Sequence, residues 1–509
     1  MARVQFRLLT LSVAAPVLQA GVLGIAHALS FAPWNLWWLE LLALAGLFGL
    51  ALRAPTPRVS ATLGFAFGMG WFVTGVSWVY ISLHVYGQMW AWLAGLATVA
   101  FATVLALYAT LALWLVHRLV PAPNVRLLVA LPAAWAGTEW LRGVLFTGCP
   151  WLASGYAHSD GPLAAYAPVV GVYGITLIAA VLAAALIAAI RYRLSSRAAV
   201  AGAILIAAFM LGGLQLGDLT WTRPFGKPIN VRLAQGNIPQ DDKFGPEGVA
   251  RAHEVYFKLM SPPGPVDLVA LPESVYPLPL TYLPLEVTRD LAQYVHDRDA
   301  ALVFGIFIEE PPQRFYNSAV ALTPDRPGIQ RYSKRHLVPF GEFIPFGFRW
   351  FIDLMKMPIG DQERGMRNQP PFDLAGQRVA VNICYEDLFG AEIIEAWHDP
   401  RRTPTILLNL SNLAWFNDSW ALPQHLQISR LRALETGRPM LRATNTGATA
   451  IIGPRGEVVR QLAFNTEGVL DGEVQGYTGD TPFVRVGNLP ALGAVVVLLP
   501  AAWWFGRRR

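Results

Sequence analysis

Cysteine is nearly absent: Cys149 and Cys384 are the only two in 509 residues. Two thiols cannot build a disulfide framework, and no Cys/His spacing resembles a zinc site, so neither a stapled scaffold nor a metal centre is expected. Charge is scarce too, at 15% of residues, which excludes a fully solvated surface along the whole chain. Internal repeats and low-complexity tracts are missing. The net charge of +6 does not indicate nucleic acid, because many arginines sit in short clusters between apolar runs rather than on one basic face.

What is present instead is apolar. Such residues make up 54% of the chain and tryptophan occurs 18 times, a balance suited to lipid contact. The length exceeds what one hydrophobic core organises, so at least two structural units are expected. Apolar runs fall at roughly 8–30, 37–52, 61–83, 89–116, 127–146, 166–190 and 198–216, with an eighth at 489–505. The second is short, but flanking tryptophans suit the interface. The first lacks a small-residue cleavage site and continues into further spans, so it reads as a retained helix rather than a signal peptide.

Arginine clusters set the orientation. Arg3 and Arg7, Arg53 and Arg58, Arg118 and Arg126, Arg191 with Arg193 and Arg197, and Arg507 to Arg509 occupy alternate sides, whereas the turns 31–38 and 82–88 carry no Lys or Arg. The positive-inside rule therefore places both termini in the cytoplasm. Seven spans (residues 1–219) then precede an exported segment, 220–485, and 486–509 returns as a span with a basic tail. The exported segment is expected outside the cytoplasmic membrane, tethered at both ends.

That segment has a different pattern, in which short β-rich runs alternate with amphipathic stretches and Pro or Gly punctuation, as in an α/β domain. Strands are expected at 230–234, 267–271, 301–307, 317–322, 378–384, 405–409, 441–444 and 448–452. Helices are expected at 248–260, 285–296, 391–398 and 424–436, the last closed by Gly437.

Three reactive side chains lie just beyond β-rich runs: Glu273 in Leu-Pro-Glu-Ser, Lys334 in Tyr-Ser-Lys-Arg-His, and Cys384 in Asn-Ile-Cys-Tyr-Glu. Open α/β sheets gather ligands at strand carboxyl ends. A thiol needs deprotonation, which a carboxylate can perform, while an ammonium stabilises thiolate and oxyanion. On residue type alone, a single buried cysteine is more often an apolar filler than a nucleophile.

The order and context of these segments resemble the nitrilase (carbon-nitrogen hydrolase) superfamily and, more narrowly, the apolipoprotein N-acyltransferase family. The matching stretches are 235–240 (Gln-Gly-Asn-Ile-Pro-Gln), 272–274 (Pro-Glu-Ser), 332–342 (Tyr-Ser-Lys-Arg-His-Leu-Val-Pro-Phe-Gly-Glu), 384–386 (Cys-Tyr-Glu) and 444–447 (Thr-Asn-Thr-Gly). The resemblance spans essentially the whole chain. It implies a polytopic α-helical membrane domain of about eight spans plus an exported nitrilase-like αββα sandwich.

It also implies Glu273 as general base, Lys334 as stabiliser of the tetrahedral intermediate and Cys384 as nucleophile, without cofactor or metal. Cys384 would take an acyl group from a phospholipid as a thioester and pass it to the α-amino group of a diacylated apolipoprotein. The enzyme is expected to act as a monomer and to bind no nucleic acid. Glu342 matches a further acidic position that could orient Lys334, or is a surface carboxylate. Glu386 either joins the chemistry or begins the next helix, and Tyr385 either shapes the thioester pocket or packs. A membrane-tethered amidase and an inactive lipid-binding scaffold are the alternatives.

The resemblance breaks at 411–418, where Leu413 and Asn417 stand in place of an expected Asp and Gly. Trp415 and Phe416 there either contact acyl chains or support the local core. The stretch 343–357, with Phe343, Phe346 and Trp350, is apolar with interspersed cations and reads as a membrane-dipping lid. Cys149 reads as structural. Glu139 and Arg142, three apart on one helix face, could pair, bind a headgroup or hold neighbouring helices.

Overall fold

The computed structural model describes residues 2–191, 197–243, 247–347, 349 and 361–508. Trp350 and most of the stretch expected to form a lid lie outside them. The chain forms two compact units: Met1–His84 with Trp90–Leu219 and Arg485–Arg509, and Val85–Met89 with Thr220–Val484.

The first unit is helical. Among the described residues, four helices are long and apolar enough to cross a bilayer: Ala91–Leu119, Pro162–Arg191, Val200–Gly217 and Leu489–Arg507. A fifth crossing is available if Pro57–Gly75 and Val79–Tyr86, bent by 59°, act as one. Exposed Ile204, Leu211 and Leu214 give Val200–Gly217 a surface that only lipid would solvate well. The helix Trp37–Arg53 has 17 residues, and the run at 127–146 resolves into a π turn, Arg126–Ala130, and the 12-residue helix Leu131–Arg142. Small residues bring helices close, as in other membrane bundles: a Cβ on Gly64 would lie 2.6 Å from the Ala109 carbonyl oxygen, and one on Gly68 2.7 Å from Ala106.

Glu139 and Arg142 are both buried and 3.6 Å apart. Glu139 accepts from the Ser154 amide at 2.8 Å, and Arg142 donates to the Trp151 carbonyl at 2.8 Å and to that of Cys149. Both therefore hold the turn at 149–154 onto their own helix.

The second unit contains two sheets. Their strands are β1 (Arg223–Gln235), β2 (Leu268–Ala270), β3 (Tyr276–Pro279), β4 (Ala301–Glu310), β5 (Arg314–Thr323), β6 (Arg326–Ser333), β7 (Phe372–Leu374), β8 (Gln377–Ile383), β9 (Ile406–Ser411), β10 (Met440–Thr444), β11 (Ala450–Ile452), β12 (Val458–Gln461) and β13 (Gly468–Thr478). The first sheet has order β13-β1-β2-β4-β5-β6, with β3 beside β4; the second has order β12-β11-β10-β9-β8-β7. Because strand side chains alternate in direction, each central strand serves two layers. Leu233, Leu268, Val303 and Ala319 meet Val381, Ile383, Leu408 and Leu441 between the sheets. Val269, Leu302, Phe304 and Val320 face the other way, onto the helices Gly248–Met260 and Leu285–Arg298. Leu407 and Met440 pack outward against the helix Ala421–Thr436. The result is an αββα sandwich.

The expected helix at 391–398 is instead one short turn, Gly390–Ile393, followed by a 3-10 turn, Ile394–Trp397. Strands β3, β6, β7, β12 and β13 were not anticipated. β12 is exposed at all four positions and β3 carries two prolines, so neither shows the alternation that marks a strand. Truncating Leu408, fully buried between the sheets, to alanine is expected to cost about 2–5 kcal/mol. The measurement is the thermal unfolding midpoint of the purified protein in detergent.

Candidate active site

Strands β1, β2 and β4 run parallel, as do β8, β9 and β10. Their carboxyl ends deliver Glu273, Cys384, Asn412 and Asn445 to one rim. β6, antiparallel to β5, which is antiparallel to β4, ends at the same rim and delivers Lys334. Glu273 sits where β2 gives way to β3, pinned because Leu271 N–H and Val275 N–H both pair with β4. Gly305 on β4 makes room: a Cβ there would fall 2.6 Å from Glu273 Cα.

Lys334 is buried with its ammonium between two carboxylates, 2.8 Å from Glu342 Oε1 and 3.3 Å from Glu273 Oε1. Asn317 Nδ2 donates to both acids, at 2.8 Å to Glu273 and 2.9 Å to Glu342. The second oxygen of Glu273 accepts from Asn412 N–H at 3.0 Å, and that of Glu342 from Val338 N–H at 2.8 Å. Burial alone would lower the pKa of Lys334; the opposing pull of Glu273, Glu342 and Cys384 wins and holds it above its ordinary value.

Cys384 opens a 3-10 turn, Cys384–Leu388, and takes φ 53°, the left-handed region that a side chain rarely adopts. Four buried side chains, Asn409, His425, Asp387 and Arg442, support this strained position. Asn409 Nδ2 and His425 Nε2 lie 3.1 and 3.2 Å from the Cys384 carbonyl oxygen. His425 Nε2 also meets Asp387 Oδ1 at 2.7 Å, while Arg442 lies 3.0 Å from both Asp387 Oδ2 and His425 Nδ1. An arginine can only donate, so it fixes His425 as neutral with its proton on Nε2. Burial pushes the Cys384 thiol up, Glu273 pushes it further, and Lys334 opposes them.

Glu386 ties the cysteine and lysine segments together. Its carboxylate accepts from Ile383 and Arg335 N–H at 2.7 Å, His336 N–H at 3.1 Å and the Tyr332 hydroxyl at 3.0 Å. Burial raises its pKa to about 7, against the pull of these N–H groups. Tyr385 packs on Phe389, ring centroids 5.2 Å apart. Asn445 cross-links the two remaining motifs: its Oδ1 accepts from Ile238 N–H at 3.0 Å and its Nδ2 donates to the Ile238 carbonyl at 2.8 Å.

The remaining expected residues stand apart from this cluster. Arg364 lies 5.1 Å over the half-buried Phe343 ring, Phe346 is fully exposed, and Trp415 sets its ring 5.9 Å from Tyr86. Phe416 is half-buried. In the loop that departs from the resemblance, Leu413 is buried and Asn417 takes φ 49° and ψ −154°, a conformation that suits the expected glycine better than asparagine. Among the described residues, no group of three or more His, Cys, Asp or Glu side chains could hold a metal ion.

Sequence reasoning missed Asn317, Asn412, the Asp387–His425–Arg442 network and Lys243, which is buried and donates from Nζ to the Glu273 main-chain oxygen at 3.1 Å. One signal was available for the network: the helix Ala421–Thr436 carries polar residues on every face yet ends up almost wholly buried, which requires partners for each of them.

Residues 230–483 match the carbon-nitrogen hydrolase family. Residues 23–186 match the apolipoprotein N-acyltransferase N-terminal domain. An apolipoprotein N-acyltransferase from Ralstonia nicotianae is 51% identical over 499 residues, covering 97% of this chain and 94% of that one. Another from Bordetella bronchiseptica is 43% identical, covering 95% and 96%. A third, from Nitrosomonas europaea, is 42% identical, covering 97% and 98%. The chain belongs to the apolipoprotein N-acyltransferase family.

Two outcomes follow from the geometry. In a Cys149→Ser background, alkylation of Cys384 by iodoacetamide, read by intact mass, should be slow at neutral pH and accelerate with rising pH, and Lys334→Met should slow it further. Arg442→Met should destabilise by about 3–5 kcal/mol by leaving Asp387 buried without its counter-ion. Adding Asp387→Asn should recover much of the lost thermal stability.

Proposed function

We propose that this protein N-acylates apolipoproteins at a membrane surface, through a thioester on Cys384. The observation that carries the reading is the Lys334 ammonium held between Glu273 and Glu342 at the rim where Cys384 opens its strained turn. The family membership supports the acceptor class.

In the first half-reaction Glu273 removes the thiol proton and the sulfur attacks the ester carbonyl of a phospholipid. A C–S bond forms, negative charge develops on the carbonyl oxygen, and Lys334 offsets it. The C–O bond then breaks, and the glycerol oxygen leaves as a hydroxyl with the proton returned by Glu273. In the second, the α-amine of an S-diacylglyceryl cysteine attacks the thioester. The C–S bond breaks, Glu273 takes a proton from nitrogen, and sulfur regains one as the amide forms. The ester already stores the acyl group, so no cofactor enters the balance.

Glu342 holds Lys334 in this scheme, and Glu386 keeps the cysteine and lysine segments in register. Both substrates are anchored in lipid, so tethering the catalyst to the same bilayer confines their search. The arginine pattern supports an inner-membrane protein of eight spans, divided at about residues 219 and 485, with the sandwich on the periplasmic side and both termini cytoplasmic. Phe343, Phe346, Trp350, Trp415 and Phe416 are the aromatic groups this reading assigns to the lipid surface. A monomer suffices, because every proposed catalytic group comes from one chain.

Wild type and Cys384→Ala, incubated with acyl-labelled phospholipid and a diacylated lipopeptide, provide the test. Wild type should acquire one acyl mass on Cys384 and pass label to the peptide amine; the alanine variant should do neither. Transfer by Cys384→Ala, or release of the label only as free fatty acid, overturns the reading.

A further inference from the structure

A run of side-chain amides leads toward Glu273, and the direction of each follows from the one before it. Ile238 sets the sense. Its main-chain N–H donates to Asn445 Oδ1 at 3.0 Å and its carbonyl accepts from Asn445 Nδ2 at 2.8 Å, so the two ends of that side chain are not interchangeable. Asn445 Nδ2 also donates to Asn412 Oδ1 at 3.1 Å, which leaves Asn412 Nδ2 to donate to Gln240 Oε1 at 3.0 Å. Gln240 therefore accepts through its oxygen, and the run ends on a donor. The side chain belongs to a residue only 4% exposed, and among the described residues its Nε2 has no hydrogen-bond partner. A buried N–H left unmet is costly, so this position calls for an acceptor atom.

The donor lies beside the base. β8 and β9 pair in parallel with Ile383 opposite Leu410, and β9 and β10 with Ser411 opposite Thr444, so Cys384, Asn412 and Asn445 leave three neighbouring strands together. Asn412 holds Glu273 Oε2 with its main-chain N–H at 3.0 Å and Gln240 with its side chain. Lys243, at the other end of the turn Gln240–Lys243, donates to the Glu273 main-chain oxygen at 3.1 Å. The turn is thus fixed against Glu273 at both ends.

In the acyl-transfer reading the phospholipid ester already has its partners, since Lys334 faces its carbonyl oxygen and Glu273 returns a proton to its glycerol oxygen. The amine substrate has only Glu273, which takes the proton from its nitrogen. In an α-amino acid the carbonyl carbon shares Cα with that nitrogen. An amine seated on Glu273 therefore brings a carbonyl oxygen, which can only accept, next to the base where the run ends on a donor.

We propose that Gln240 is a specificity-determining residue for the amine substrate: Nε2 donates to the carbonyl oxygen of its first residue and so selects an α-amine that carries a peptide group. This role rests on the acyl-transfer reading and adds to it a group that reads the acceptor. An amine without that oxygen leaves the buried donor unmet, which is how a polar site rejects an analogue.

The experiment compares two acceptors, S-diacylglyceryl cysteine amide and S-diacylglyceryl cysteamine, which share lipid and amine and differ only in the carboxamide. Full-length wild type and Gln240→Met receive acyl-labelled phospholipid, kcat/KM is measured for each acceptor, and thermal midpoints are recorded. Wild type should prefer the cysteine amide by at least roughly tenfold. Gln240→Met should bring the ratio near unity by losing rate on the cysteine amide, an effect that a general loosening of the fold would not produce because both amines use the same base. Equal use of the two acceptors by wild type, or the wild-type ratio in Gln240→Met, overturns the proposal. So does a loss of Cys384 acylation, read by intact mass without acceptor, as large as the loss of transfer, because it places Gln240 on the phospholipid. Should Gln240→Met not fold, Gln240→Glu keeps an oxygen toward Asn412 and removes the donor, and its ratio decides by the same outcomes. Failure of wild type to acylate Cys384 would reject the acyl-transfer reading itself, a separate outcome.

Discussion

A lysine ammonium taken out of water has to be met by negative charge, and the requirement at Lys334 organises the rim of the sandwich. Two acids from different parts of the chain converge on one Nζ, and a single side-chain amide, Asn317, bridges them. Each acid is then held through its second oxygen by a main-chain N–H, from Asn412 and Val338. The ends of β2, β5, β6 and β9 and the loop at 338–342 are thereby locked to one another. Buried charge of this kind contributes little net stability, since desolvation consumes most of the attraction, but its geometry tolerates few alternatives.

The same economy recurs behind the cysteine. Asp387 lies three residues beyond Cys384, and its charge would oppose a thiolate. Arg442 cancels that charge and also sets the tautomer of His425, whose proton reaches the Cys384 carbonyl. Glu386, between them in sequence, points the other way and satisfies the amides of the lysine segment. One five-residue turn thus carries Cys384, an inward-facing acid serving the helix Ala421–Thr436 and an acid serving β6.

The sandwich was readable wherever the chain alternates cleanly. β4, β5, β8 and β9 were visible as β-branched and aliphatic runs because both of their faces are buried, and Gly248–Met260 was visible because one face is. β6 and β12 were invisible, since edge strands need no apolar alternation. Glu273, Lys334 and Cys384 stood out through the motifs around them. Lys243, Asn317 and Arg442 did not, because nothing local distinguishes a buried, partnered polar side chain from a solvated one. The burial of Glu342 likewise depends on Lys334, eight residues earlier, rather than on its own neighbours. In the helical unit, hydropathy found the long helices but not the shortness of Leu131–Arg142, whose Glu139–Arg142 pair was legible from its spacing.

The pairing of β1 with β13, from Arg223 opposite Thr478 to Gln235 opposite Gly468, joins the first strand of the sandwich to its last. During synthesis β1 emerges some 240 residues before the strand that completes its hydrogen bonding, and until then one of its edges stays open to any passing polypeptide. The open interval ends only when the chain has been made through residue 478, so this is the last edge within the first sheet to be closed.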